Sequence, residues 1–188
     1  MSTGKAFLMI SLKAKETRAV LEYLFLHEDA ELYVNEMARK FSLDDGNLSR
    51  KLKQLAREGI LKCRDSANSC YYSLNRKYPL LKEYKGIVLK TIGFERKLRE
   101  VLSGVKRIEQ AFIFGSYAKG SMDTASDIDL LVVGGHDTLA LQKAIAVIQK
   151  EMDREINVIS MGSKEYREKL DKDPFVRSLA GKKKIRIV

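Results

Sequence analysis

Two short stretches of the 188-residue chain have residue types and a spacing suited to phosphate chemistry. Residues 109–115, Glu-Gln-Ala-Phe-Ile-Phe-Gly, read as a buried strand that runs into Gly115-Ser116, the start of a loop opening a short helix. Ten residues separate Ser116 from Asp127, and Asp127-Ile-Asp129 begins a second apolar strand over 126–133. Side chains alternate along a strand, so Asp127 and Asp129 share one face. Two carboxylates so placed are costly unless a cation lies between them. Mg²⁺ suits the pair, because it takes one or two carboxylates together with substrate phosphates. Ile128 and Leu130 to Val133 put the pair at the rim of a buried sheet rather than on a solvated strand end. The Gly115-Ser116 turn offers backbone N–H groups and a hydroxyl to phosphates, and glycine permits the close approach a side chain would block. Lys119 is either a further phosphate contact or an ordinary surface lysine.

Gly115-Ser116, ten residues, then Asp127-x-Asp129 on a strand resembles the signature of the DNA polymerase β-like nucleotidyltransferase superfamily. Within it, Gly115-Ser-Tyr-Ala-Lys-Gly120 with Ser126-Asp-Ile-Asp-Leu-Leu-Val132 is similar to the minimal nucleotidyltransferases, over about residues 105–188. The resemblance implies a small mixed-sheet domain with Mg²⁺ at Asp127 and Asp129 and room for a second metal. It implies an NTP, as substrate or ligand, with its phosphates on Gly115 and Ser116, and transfer of a nucleoside monophosphate to an acceptor hydroxyl. Members often modify a small helical toxin, which makes a protein acceptor an expected partner.

Active members carry a third carboxylate on the next strand, here Glu155-Ile-Asn-Val-Ile-Ser160. The family register falls on Asn157, which keeps an oxygen ligand and loses the charge. Glu155 is the candidate third catalytic carboxylate, on the same face but displaced by ~6.6 Å along the strand. The alternative is a domain that binds nucleotide without transferring it.

The elements before residue 105 follow a different plan. Val20, Leu21, Leu24 and Phe25 make a helical stripe over 16–27, and a short helix over 34–41 carries Val34, Met37, Ala38 and Phe41. A turn at Ser42-Leu43-Asp44 leads to a third helix capped by Asp44 or Asp45 and stopped at Gly59. Leu48, Leu52, Leu55 and Ala56 form its inner stripe. Strand-like residues 60–63 and 70–74, joined by the polar run Arg64-Asp-Ser-Ala-Asn-Ser69, complete a hairpin. This order resembles the winged helix-turn-helix domains of prokaryotic transcription regulators over about residues 15–75, most closely in Leu52-Lys-Gln-Leu-Ala-Arg-Glu-Gly-Ile-Leu61. DNA is the expected partner, with Asn47, Arg50 and Gln54 at base edges and Lys51, Lys53, Arg57 and Arg64 on phosphates. Protein contact, or a merely solvated basic face, is the alternative.

Residues 78–102 read as one extended helix with Pro79 in its first turn, a connector that in such regulators often makes a homodimer. The expected fold class is α+β: a winged helix-turn-helix domain over 1–77, a connector helix over 78–104 and a nucleotidyltransferase domain over 105–188.

A net charge of +10, carried mostly by the first 110 residues, suits a polyanion partner. With 45% hydrophobic and 32% charged residues and only 2 prolines, the chain is an ordinary globular sequence. No apolar run reaches the ~20 residues of a membrane span, and the stretch over 6–12 is too short for a signal peptide. Cys63 and Cys70 are too few for a structural zinc site and are expected to be reduced packing residues in a cytoplasmic protein. His27 and His136 have no partners in sequence and read as surface or packing residues. The lysines at 182–184 either touch nucleic acid or keep an edge strand soluble.

Overall fold

The computed structural model describes residues 10–66, 69–122, 126–181 and 183–188, and the chain divides into two units, Met1–Gly93 and Phe94–Val188. In the first, α1 (Lys15–Leu26) is followed by the two-residue β1 (Leu32–Tyr33), α2 (Val34–Phe41) and α3 (Asp45–Glu58). The boundaries of α3 come from its two ends. Asp44 Oδ1 accepts the Asn47 N–H at 2.8 Å, and Gly59, at φ +92°, closes the helix in the left-handed conformation. Leu48 and Leu52 are fully buried against the rest of the unit. The strands β2 (Leu61–Ser66) and β3 (Ser69–Leu74) pair antiparallel, and β1 joins β3 to give the order β1-β3-β2.

The ladder includes Arg64, Asp65, Ser66 and Ser69, residues the sequence assigns to the connecting loop; Ala67 and Asn68 lie outside the described residues. Polar side chains do not end a ladder whose face is open to water. The cysteines also need correction. Cys63 and Cys70 are joined as a disulfide with their Cα atoms 5.6 Å apart. Register explains the pairing, because Cys63 faces Tyr72 and Cys70 faces Asp65, which makes the two cysteines diagonal neighbours on one face.

The single connector helix is likewise two helices, α4 (Leu81–Thr91) and α5 (Phe94–Ser103), with Pro79 preceding the first of them. The N–H groups of Ile92 and Gly93 both donate to Val88 O, which ends α4. A Cβ on Gly93 would lie 3.0 Å from that oxygen, so the chain turns there at a glycine. Each half packs within its own unit, α4 on α1 and α5 on the helix described next as α7.

In the second unit, after α5, come β4 (Ile108–Phe114), the one-turn α6 (Gly115–Lys119), β5 (Ile128–Gly134), α7 (Thr138–Met152) and β6 (Ile156–Met161). Then follow α8 (Ser163–Lys172), α9 (Pro174–Gly181) and β7 (Ile185–Arg186). The sheet order is β6-β5-β4-β7, a mixed sheet in which β5 and β6 run parallel across the α7 crossover and β4 is antiparallel to β5 and β7. Leu131 and Val133 of β5 point to one face, where they meet Phe112, Phe114, Val176 and Leu179. Leu130 and Val132 point to the other and are equally buried. The helix α9 is absent from the sequence reading, although its start is well specified. Asp173 Oδ1 accepts from the Phe175 and Val176 N–H groups, and Pro174 occupies the first helical position. Among the described residues no helix is long and apolar enough to cross a membrane.

Candidate functional site

The chemistry-bearing residues of the second unit gather where β4 ends and β5 begins. Phe114 is the last residue of β4 and pairs with Asp129, so the chain leaves β4 directly beside that carboxylate. Gly115 takes φ +69°, and a Cβ there would lie 2.0 Å from Asp129 Oδ2. Only glycine lets this turn reach so close to an acid. The first turn of a helix leaves N–H groups without intrahelical acceptors, and α6 is too short to add an accumulated dipole. Its contribution is therefore those N–H groups and the Ser116 hydroxyl. Lys119 stands exposed at the end of α6.

Asp127 is exposed one residue before β5, and Asp129 is half-buried on it, two positions apart and so on one side of the sheet. That side is the one carrying Leu131 and Val133, so the acids continue an apolar row past its end. Two contacts fix their approach. Ile128 N donates to Glu155 O at 3.0 Å, and Arg154 Nη1 donates to Ser126 O at 3.1 Å. Arg154, only 8% exposed, is a positioning residue for this segment that sequence reasoning missed. A lone cation before a strand gives little sign of such a role.

Across the parallel ladder, Asn157 lies opposite Asp129, and its Nδ2 donates to Asp129 Oδ1 at 3.4 Å. Glu155 precedes β6 and lines a groove with Gln149, Lys150 and Arg154 beside the end of α7. The residue next to the acid is thus the amide. A second missed residue is Phe175, at the start of α9. The residue is 48% exposed, and its ring centroid lies 6.4 Å from that of Phe114, the strand partner of Asp129.

His136 is elsewhere, with Nε2 2.8 Å from Ser160 Oγ, a partner the sequence did not suggest. Burial pushes its imidazole below the usual histidine range. His27 stacks on Tyr23 at 4.2 Å.

The first unit presents a groove of about 920 Å³ between α3 and the β2–β3 hairpin. Asn47, Arg50, Lys51, Lys53, Gln54 and Arg57 all border it, against two acids, Glu16 and Asp65. Several of these side chains are tied to one another. Arg50 donates to Asn47 Oδ1, Lys51 Nζ to Gln54 Oε1 at 2.8 Å, and Gln54 Nε2 to Glu58 Oε1 at 2.7 Å. Arg64 is not brought to this groove. It pairs with Glu31 at 2.6 Å and lies over the Tyr71 ring, and the Glu31 carboxylate raises the pKa of its guanidinium.

Residues 95–186 match the protein family described as Nucleotidyltransferase domain. The second unit carries a nucleotidyltransferase domain. The match stops at that unit, and Met1–Gly93 lies outside it. Among solved structures, the chain is similar to a toxin-antitoxin with AMP-PNP, at 18% identity and a TM-score of 0.39, over 50% of this chain and 72% of that one. It is also similar to a mutant of the toxin-antitoxin MntA-HpeT, at 16% identity and a TM-score of 0.38, over 50% and 72%. No curated protein matches the chain.

Within the nucleotidyltransferase domain, the donor set fits a magnesium–nucleotide pair. Asp127 and Asp129 supply hard oxygen ligands, and the absence of a side chain at Gly115 lets the backbone pass directly against the Asp129 carboxylate.

Proposed function

We propose that the chain is a Mg²⁺-dependent nucleotidyltransferase that moves a nucleoside monophosphate from an NTP to an acceptor hydroxyl. In this reaction the acceptor oxygen bonds to the α-phosphorus, the bond to the β-phosphate breaks, pyrophosphate leaves, and the hydroxyl proton passes to solvent or a nearby base. The observation that carries the reading is the glycine turn pressed against Asp129, which brings the first N–H groups of α6 close to a carboxylate. When bound, the metal would neutralise phosphate charge and align the displacement. Asp127 and Asp129 would hold it, while Ser116 and the N–H groups of α6 orient the phosphates for in-line attack. Phe175 offers an exposed ring on which a nucleobase can stack.

The test is transfer of label from α-labelled NTPs with Mg²⁺, using cell extract of the source as acceptor. Label on a discrete acceptor supports the reading, and a small helical protein is the first class to examine. A second reading is favoured by Asn157, whose amide occupies Asp129 Oδ1 where a third acid would add charge. On that reading the domain senses nucleotide: the transfer assay labels no acceptor, while labelled NTP is still retained by the protein in a filter-binding measurement.

For the first unit we propose a winged helix-turn-helix that binds duplex DNA, with α3 as the recognition helix and the phosphate backbone in the basic groove. The four cations of that groove are the support. Binding of a DNA duplex, followed by fluorescence anisotropy, is expected to weaken steeply as salt rises. Lys53→Ala and Arg57→Ala should each lower the slope of log K against log salt by about 0.9. Salt-independent binding, or slopes unchanged in both variants, would remove the groove from the account.

A further inference from the structure

The hairpin face that borders the groove carries three donor atoms that neither the nucleotide site nor the cations of α3 use. Alternation puts Cys63 and Asp65 on one face of β2, and the register sets Cys70 directly opposite Asp65, on that same face. All three line the groove together with Tyr72. The two sulfurs and a carboxylate oxygen lie within 4.8 Å of one another, with Asp65 Oδ1 3.5 Å from Cys63 Sγ. Cys63 and Asp65 are exposed and Cys70 is half-buried, so the cluster is open to reagents and ions.

The disulfide joins residues only seven apart in a hairpin whose register six pairs already fix. It lies on a solvent-open face, in a groove that Lys53 also borders.

We propose that reduction of the Cys63–Cys70 bond creates a site for one thiophilic divalent cation of the zinc class, held by Cys63 Sγ, Cys70 Sγ and the Asp65 carboxylate. A dithiol reductant supplies two electrons and two protons, is itself oxidised to its disulfide, and leaves two thiols. Cation binding then releases both thiol protons to solvent. Zinc–sulfur bonds of about 2.3 Å at a tetrahedral angle place two ligand sulfurs about 4 Å apart. The Cα separation of 5.6 Å accommodates that spread through rotation of the cysteine side chains. Three protein ligands leave a fourth position to water, on the side open to solvent. The site's ligands are other residues than the four cations of the groove and the acids of the second unit.

The full chain, reduced and freed of metal, is to be titrated with Co²⁺ as a spectroscopic stand-in for Zn²⁺. A sulfur-to-cobalt charge-transfer band is expected, saturating at one ion per chain and bleached by Zn²⁺. The band should be missing from the oxidised protein and lost in Cys63→Ser and Cys70→Ser. Oxygen ligands at Asp127 and Asp129 give no such band, so the two sites are read separately. Asp65→Asn keeps both sulfurs and should weaken Co²⁺ about tenfold or more while both thiols still react with a thiol reagent. The proposal is overturned by a reduced protein with two reactive thiols and no band. A band that survives either serine variant, or an Asp65→Asn protein with unchanged affinity, overturns it equally.

Discussion

Asp129→Asn is expected to reduce nucleotidyl transfer by roughly 10³-fold, on the order of 4 kcal/mol of transition-state stabilisation. The change is nearly isosteric and removes one of two negative charges on the same side of the sheet, Asp129 on β5 and Asp127 one residue before it. Asparagine has the same shape and keeps an Oδ1 to accept from Asn157, so the thermal midpoint should stay level. That combination, activity lost and stability kept, separates a metal-holding acid from a structural one. Asp127→Asn should behave the same way, because the pair works as a unit. Steady-state transfer with α-labelled NTP, beside a thermal melt of the same preparations, checks both halves. Transfer within tenfold of the parent would place the chemistry elsewhere.

Gly115→Ala carries the second large effect and reaches the same acid from the backbone. Left-handed φ costs a residue with a Cβ about 1–2 kcal/mol. Here the new methyl would also meet Asp129 Oδ2 at 2.0 Å, so the carboxylate must move. A displacement of this size at a reacting centre lowers transfer by about 10²-fold. A double-mutant cycle isolates the steric part. In an Asp129→Ala background the methyl has no carboxylate to displace, and Gly115→Ala should cost only the backbone term. Equal losses of stability in the two backgrounds would mean that the turn does not press on the acid.

The placement of the carboxylate pair and of the glycine turn was legible in sequence because it is set locally. Alternation fixes the shared side of Asp127 and Asp129, and Gly115 follows an apolar strand at once. The limits of α3 were legible for the same reason, since Asp44 and Gly59 are end signals within the chain. What was hidden depends on partners distant in sequence. The cysteine pairing follows from which residue faces which across β2 and β3, and no spacing along one strand gives that. The contact of Asn157 with Asp129 needs the parallel register across α7.

The broken connector has another cause. Leu81, Tyr84, Val88, Ile92, Leu98 and Leu102 continue an apolar stripe straight through the break, and only the packing of Gly93 against Val88 O reveals the stop. The two-residue β1 is too short to show any period. The start of α9 could have been found: an aspartate followed by proline is a helix-start signal, and Asp173-Pro174 carries it. Reading it would have placed Phe175 on a helix next to the site.

The most direct test of the central claim is calorimetric binding of a non-hydrolysable NTP to the full chain, with and without Mg²⁺, beside the Asp127→Asn/Asp129→Asn variant. The parent is expected to bind saturably and only with Mg²⁺, and the variant not to bind. Binding that is indifferent to Mg²⁺, or retained without both acids, would contradict it.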